Sequence, residues 1–265
     1  MVNGIYYPDG ESELADLLIS WDLIKNFPAK GGQIIIAPHG AWDLSGSIAA
    51  SAFAGLQGNG SECGVGRVLL LGTCHQSGED GIFLSESDFF ETPFGDLEVN
   101  QDLNSKLSSC STMIGINDIP HLSEHSLEVL LPMVKYCFPD AQIVPILMGG
   151  RRPLLMSALA KALRISLETN LEDCLIIISS TVSQDLDAAI ALSMANELCS
   201  LLEGMDALTF LARLAEGRIS ACGAAPMGAL LESGLLNGKR FSALTPLAKG
   251  KNEQGETVYY GAFRA

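Results

Sequence analysis

The sequence predicts an α/β protein, a mostly parallel central sheet with helices on both faces, giving three layers. Short, nearly continuous runs of Ile, Leu and Val alternate with segments of helical periodicity, the pattern of strands buried on both sides. Hydrophobic residues make up 48% of the 265 residues and charged ones 18%, enough apolar material for one large core. No linker rich in Pro, Gly or Ser, no repeat and no low-complexity segment divides the chain, so residues 1–265 are expected to form a single domain.

Each element has its own signal. Leu14, Leu17, Leu18, Trp21 and Ile24 recur at helical spacing and predict a helix over 11–26. Residues 33–37 (QIIIA) are β-branched and bounded by Gly32 and Pro38, as a buried strand requires. An Ala-rich stretch over 45–56 predicts a second helix, and 67–72 (RVLLLG) a second buried strand. Residues 81–99, short alternating pieces broken by Pro93 and Gly95, read as a β-rich excursion near a sheet edge. Helical patterns over 123–138, 153–167 and 185–203 are interleaved with strands at 142–148 and 174–179. Strands over 240–245 and 258–263 flank a polar turn too short for a crossover, so they are expected to pair antiparallel.

Charge and cysteine content narrow the function classes. The net charge is −15 and no run of Lys or Arg forms a patch, which argues against nucleic acid and anionic membrane as partners. The first residues show no basic region followed by an apolar stretch, and the apolar runs are too short to cross a bilayer. Seven cysteines at irregular spacing, with no C-x-x-C, suit reduced thiols in a cytoplasmic protein better than a secreted disulfide framework.

In an open α/β sheet, ligands bind beyond the carboxyl ends of the strands. His39 follows the first strand and His75 the second, while Ser180-Thr181-Val182-Ser183-Gln184 follows the fourth. The two histidines are either unrelated loop residues or a pair of metal ligands. His121-Leu122-Ser123-Glu124-His125 matches H-x-x-E-H, the inverted zinc-peptidase signature. Ser123 is expected to cap the following helix, which would leave His121 outside it and break the one-turn pairing. His125 then either satisfies the core or joins a site. Cys222 lies among small residues before an expected helix, where backbone N–H groups favour a thiolate; its alternative is a buried structural thiol. Cys74 adjoins His75 in a strand-end loop. Neither G-x-G-x-x-G nor a Walker-type loop follows a strand, which disfavours nucleotide binding.

The order of these segments resembles the Memo-like family. The resemblance runs through Ile35-Ile36-Ala37-Pro38-His39-Gly40, Leu70-Leu71-Gly72-Thr73-Cys74-His75 and Phe90-Glu91-Thr92-Pro93-Phe94-Gly95-Asp96-Leu97-Glu98-Val99. It continues with Glu124-His125-Ser126-Leu127-Glu128, Leu131-Pro132, Ile143-Val144-Pro145, Ile178-Ser179-Ser180 and Cys222-Gly223, then Pro226-Met227-Gly228. The opening Gly4-Ile5-Tyr6-Tyr7-Pro8 and closing Val258-Tyr259-Tyr260-Gly261 fit the family's ends. Bacterial and archaeal members carry the name AmmeMemoRadiSam system protein B. The resemblance implies a fold similar to class III extradiol ring-cleaving dioxygenases. It also implies a pocket whose metal-binding residues are His39, His75 and Cys222, a donor set suited to copper, iron or zinc.

Three departures from the family pattern stand near that pocket. Members usually carry Ser-Ser-Asp-Phe-x-His after the fourth strand; here Thr181 replaces the acid and Gln184 the histidine. The usual His-Ala-Gly-Tyr is His39-Gly40-Ala41-Trp42, and Gln76 replaces the second histidine of a His-His pair. Glutamine cannot transfer protons at neutral pH, so the acid/base position is degenerate. His125, Cys74, Thr181 and Gln184 remain the candidates for other pocket roles. The expected protein is a Memo-like, cytoplasmic, copper- or iron-binding protein, with a redox enzyme of degenerate acid/base position as the expected activity. A non-catalytic protein- or peptide-binding scaffold is the alternative, and the zinc peptidase a third. A small molecule or peptide is the expected pocket ligand, and a radical enzyme the expected system partner. If Cys74 and Cys222 share the pocket, a disulfide between them would displace the metal.

Overall fold

Along the chain run α1 (Glu11–Ser20), β1 (Gln33–Ala37), α2 (Ser47–Ala54), β2 (Arg67–Thr73) and β3 (Gly81–Leu84). Then follow β4 (Phe89–Phe90), β5 (Leu97–Glu98), α3 (Gln101–Ser108), β6 (Ile114–Ile116), α4 (His125–Glu128), α5 (Leu131–Cys137), β7 (Gln142–Gly149) and α6 (Pro153–Leu167). The last third holds β8 (Cys174–Ser179), β9 (Ser183–Asp185), α7 (Ala188–Gly204), α8 (Ala207–Ala215) and α9 (Ala224–Ser233). It closes with β10 (Ser242–Ala243), β11 (Ala248–Lys251), β12 (Thr257–Tyr260) and β13 (Phe263–Arg264). The computed structural model describes all residues except 1–2, 27–28, 30–31, 57–63, 76–77, 79, 169–170, 205 and 253, so Gln76 lies outside the described residues.

Among the described residues, the main sheet has eight strands in the order β10-β13-β1-β8-β2-β7-β3-β6. Its centre is parallel: β1, β8, β2 and β7 align with Ile36 beside Ile178, Leu71 beside Ile178, and Leu71 beside Ile146. Antiparallel pairs occur where β13 joins β1 and where β3 joins β7, so the sheet is mixed. Alternate residues of the central strands enter different cores. Ile34, Ile36, Leu69, Leu71, Ile176 and Ile178 pack with α6, α7 and α9; Ile35, Val68, Leu70, Leu175 and Ile177 pack with α1, α2 and α5. That division is the three-layer arrangement. Each fully buried Leu or Ile contributes roughly 1.5–3 kcal/mol relative to exposure.

Several boundaries differ from the sequence reading. The first helix stops at Ser20 because Asp22 takes a left-handed conformation, with Leu23 N–H bonded to Leu18 O at 3.0 Å and Asp22 N–H to Ile19 O at 3.0 Å. This is a Schellman closure without its usual glycine, hence without its sequence signal. The 45–56 helix begins earlier, with a π turn over Trp42–Gly46. The single helix expected over 123–138 is two helices, because Pro132 lacks an N–H and starts α5 instead of continuing α4. Ser123 is not the cap. Glu124 caps α4, accepting from Ser126 N–H at 2.9 Å, while His121 ends a separate 3₁₀ turn. At the C-terminus, the polar turn contains β11, which pairs with β12, and the expected 258–263 strand divides between two sheets. A three-stranded sheet β11-β12-β9 thereby lies over the carboxyl ends of the main strands.

Candidate metal centre

Adjacent strand ends bring the site together. His39 lies just past β1, Thr181 past β8 and His75 past β2, and these are consecutive strands in the sheet. Helix α4 adds His125 because Gly72 lets it approach β2: a Cβ at Gly72 would meet Leu127 Cδ2 at 2.5 Å and Ser126 Oγ at 2.7 Å. Ser126 Oγ donates to Thr73 O at 3.0 Å, fixing the helix against the strand. Cys222 arrives from before α9, its carbonyl accepting from Thr73 Oγ1 at 2.7 Å. Arg151 holds the preceding turn, donating to Ile219 O at 3.1 Å and Ala221 O at 3.0 Å.

The ligand atoms of His39, His75 and His125 all lie within 4.8 Å of one another. Their ring centroids are 4.9–5.4 Å apart, and Tyr6 stacks on His125 at 4.8 Å. Cys222 Sγ is 3.5 Å from His39 Nε2. Hydrogen bonds decide which nitrogen each ring presents. Ser179 Oγ donates to Ser126 O, so it accepts from His39 Nδ1–H at 2.7 Å. Glu124 can only accept, so His75 Nδ1 donates to its Oε1 at 2.8 Å. Both rings therefore turn Nε2 toward the centre, His75 through the carboxylate–histidine pairing typical of metal ligands and His39 through a serine hydroxyl. The same Glu124 oxygen lies 3.5 Å from His125 Nδ1.

In the sequence Glu124 stands in the peptidase motif and in the family segment 124–128, with no role toward His75. Its side chain is 1% exposed, yet burial is outweighed by bonds from the His75 ring and the His75 and Ser126 N–H groups, which hold its carboxyl at about 2. Burial works against a charged His75, but Cys222 and Glu124 raise it to about 10. Burial and the neighbouring His39 lower His125 to about 4. For Cys222 burial favours the thiol, and His39 and His75 overcome it, holding the group well below its ordinary value. The cluster thus favours charge separation between sulfur and imidazole, and a cation binding here would take the place of the ring proton.

The centre opens into a cavity of about 590 Å³ whose walls include Thr181, Gln184, Tyr260 and Lys251. Of the candidate residues, His39, His75, Cys222, His125, Thr181 and Gln184 all line it. Cys74 does not; its N–H bonds to Met148 O at 3.0 Å. No disulfide joins the two cysteines, and the Cys74–Cys222 switch lacks the shared cavity it required. His121 is also elsewhere, with Nε2 3.3 Å from Phe83 O and its ring against Phe90, so H-x-x-E-H does not form a paired metal site.

Fold and site together define an α/β protein with a three-histidine cluster, compatible with a metal ion, at the carboxyl edge of its sheet. The Memo-like protein family model matches residues 1–258, and the chain belongs to that family. Among its relatives is a MEMO1 family protein of Methanobrevibacter smithii, 25% identical over 254 residues, covering 92% of this chain and 89% of the relative. MEMO1 family proteins of Thermotoga neapolitana and Nitrosopumilus maritimus are 26% and 24% identical, covering 88% and 100% of this chain and 87% and 98% of theirs. A crystal structure of uncharacterized protein JW3007 from Escherichia coli K12 shares the fold, with a TM-score of 0.56 at 11% identity, covering 88% of this chain and 98% of that one. Among the described residues, no helix is long and apolar enough to cross a membrane.

Proposed function

We propose that this chain holds a copper or iron ion on His39, His75 and Cys222, with His125 as a further imidazole donor, and that the centre serves redox chemistry. The observation that carries this reading is the convergence of three imidazoles within 4.8 Å, two of them tied through Nδ1 so that Nε2 is presented. Imidazole and thiolate donors together suit copper, iron or zinc, and exclude the hard, oxygen-liganded cations. A bound redox metal would supply one-electron chemistry, whereas zinc would supply Lewis acidity alone. The chain itself presents the donors, and the β11-β12-β9 sheet encloses the ligand beside them.

Gln184 favours a second reading, binding without turnover. It occupies the cavity wall, where a carboxamide orients a ligand by hydrogen bonds but moves no proton at neutral pH. In either case the ligand is a small molecule or peptide segment sized to the cavity, and reduced cysteines suit a cytoplasmic setting, where a radical enzyme would be the system partner. Metal analysis of the purified protein tests the site. Stoichiometric metal that falls in His39→Ala and Cys222→Ser supports it; metal retained in both variants refutes the assignment. His121→Ala should leave the metal content unchanged, and its loss there would revive the peptidase motif.

A further inference from the structure

We infer that Thr181 is the positioning residue of the Cys222 sulfur, fixing its rotamer and tuning its donor strength through two hydrogen bonds. The inference rests on the proposed ligation by Cys222. Thr181 N–H lies 3.1 Å from Sγ and Thr181 Oγ1 lies 3.2 Å from it. Cys222 N–H in turn donates to the same Oγ1 at 3.4 Å. Among the described residues, both polar partners of the hydroxyl are atoms of Cys222. A metal-bound sulfur carries no proton, so with a cation on Cys222 the Thr181 hydroxyl is the donor of the Oγ1–Sγ bond. The bridge closes a ring through N, Cα, Cβ and Sγ of Cys222, which leaves the side chain one orientation.

The surroundings reinforce that orientation. Ser180 Oγ donates to Thr181 O at 2.6 Å and accepts from Gly223 N–H at 2.9 Å, tying the two loops together on either side of the sulfur. Gly223 permits this approach, since a Cβ there would meet Ser180 Cβ at 2.6 Å and Ser179 O at 2.8 Å. Thr181 itself is 8% exposed, so its hydroxyl acts with little competition from water. A carboxylate at position 181 would accept and not donate, and would set two anions side by side. A hydroxyl donates. Donation to a thiolate withdraws charge from sulfur, and hydrogen bonds of this kind tune thiolate–metal centres.

The test uses cobalt(II) alone, titrated without oxygen into the reduced, metal-free full chain, and reads the sulfur-to-cobalt charge-transfer band. Thr181→Val removes the hydroxyl while keeping the backbone N–H and nearly the same shape. The band should move to lower energy and cobalt affinity should fall about 10–100-fold, the usual effect of losing an outer partner of a ligand. Thr181→Ser should restore both. If Thr181→Val does not fold, Thr181→Ala carries the same comparison. A band unshifted in the variant, with affinity within about twofold of the parent, overturns the role of Thr181 while ligation by Cys222 stands. A parent protein with no such band, or a band that survives Cys222→Ser, overturns the ligation itself.

Discussion

Replacing Glu124 with Gln removes one charge and one acceptor from the point where His75, Ser126 and α4 meet. The carboxylate accepts three bonds, two at Oε1 (His75 Nδ1–H at 2.8 Å, Ser126 N–H at 2.9 Å) and one at Oε2 (His75 N–H at 2.5 Å). A carboxamide with its oxygen at Oε1 turns NH₂ toward the His75 N–H, donor against donor. One unsatisfied, largely buried donor costs about 1–3 kcal/mol, and the two remaining bonds lose their charge assistance, for a total of about 2–4 kcal/mol. Urea unfolding of the metal-free protein at neutral pH reads this loss directly.

The pH dependence follows from the sign of each shift. Glu124 is held at about 2, below its ordinary 4.5, so its stabilisation is present above the ordinary value and lost as pH falls toward about 2. His75 is raised from 6.5 to about 10, so its share is present below 6.5 and lost as pH rises through about 10. Glu124→Gln should flatten the acid limb. A loss below about 0.5 kcal/mol, the range of an ordinary surface change, or an unchanged acid limb would refute the reasoning.

Further outcomes follow from the same geometry. Gly223→Ala forces a Cβ against Ser180 Cβ at 2.6 Å and Ser179 O at 2.8 Å; overpacking of this kind costs about 1–3 kcal/mol, which thermal unfolding would register as a clear fall in Tm. Arg151→Lys can satisfy only one of the carbonyls of Ile219 and Ala221 with comparable geometry, and should weaken cobalt binding while the unfolding free energy read in urea falls by about 1 kcal/mol or less per lost bond. Because a metal must displace the proton on His75, cobalt affinity should rise with pH between about 6 and 8; direct titration at several pH values checks this, and a flat profile contradicts it.

The strands were legible because their signal is local. Residues 33–37 and 174–179 read as buried strands from composition, and both appear with those bounds. Helix α6 matched for the same reason, beginning at Pro153 and continuing on an apolar stripe. The missed boundaries depend on contacts or backbone states with weak sequence signals, such as the left-handed Asp22 and the cap supplied by Glu124 in place of Ser123. His39 and His75 could be singled out as residues at strand ends. Glu124 could not be separated from a chance H-x-x-E-H, because its partner His75 is 49 residues away.

By itself the sequence determined the alternating α/β order, the placement of two histidines at strand ends and, through its motif order, the family. These depend on hydrophobic period and residue type, which each segment carries alone. The tertiary structure decided that His125 joins the cluster while His121 leaves it, that Cys74 stays outside while Cys222 enters, and that Thr181 faces sulfur. Those outcomes depend on how β1, β8 and β2 lie side by side and how closely α4 and α9 approach them. Donor geometry is a property of packed distances, so residues as far apart as His39 and Cys222, separated by 183 positions, acquire a shared role only when the chain is folded.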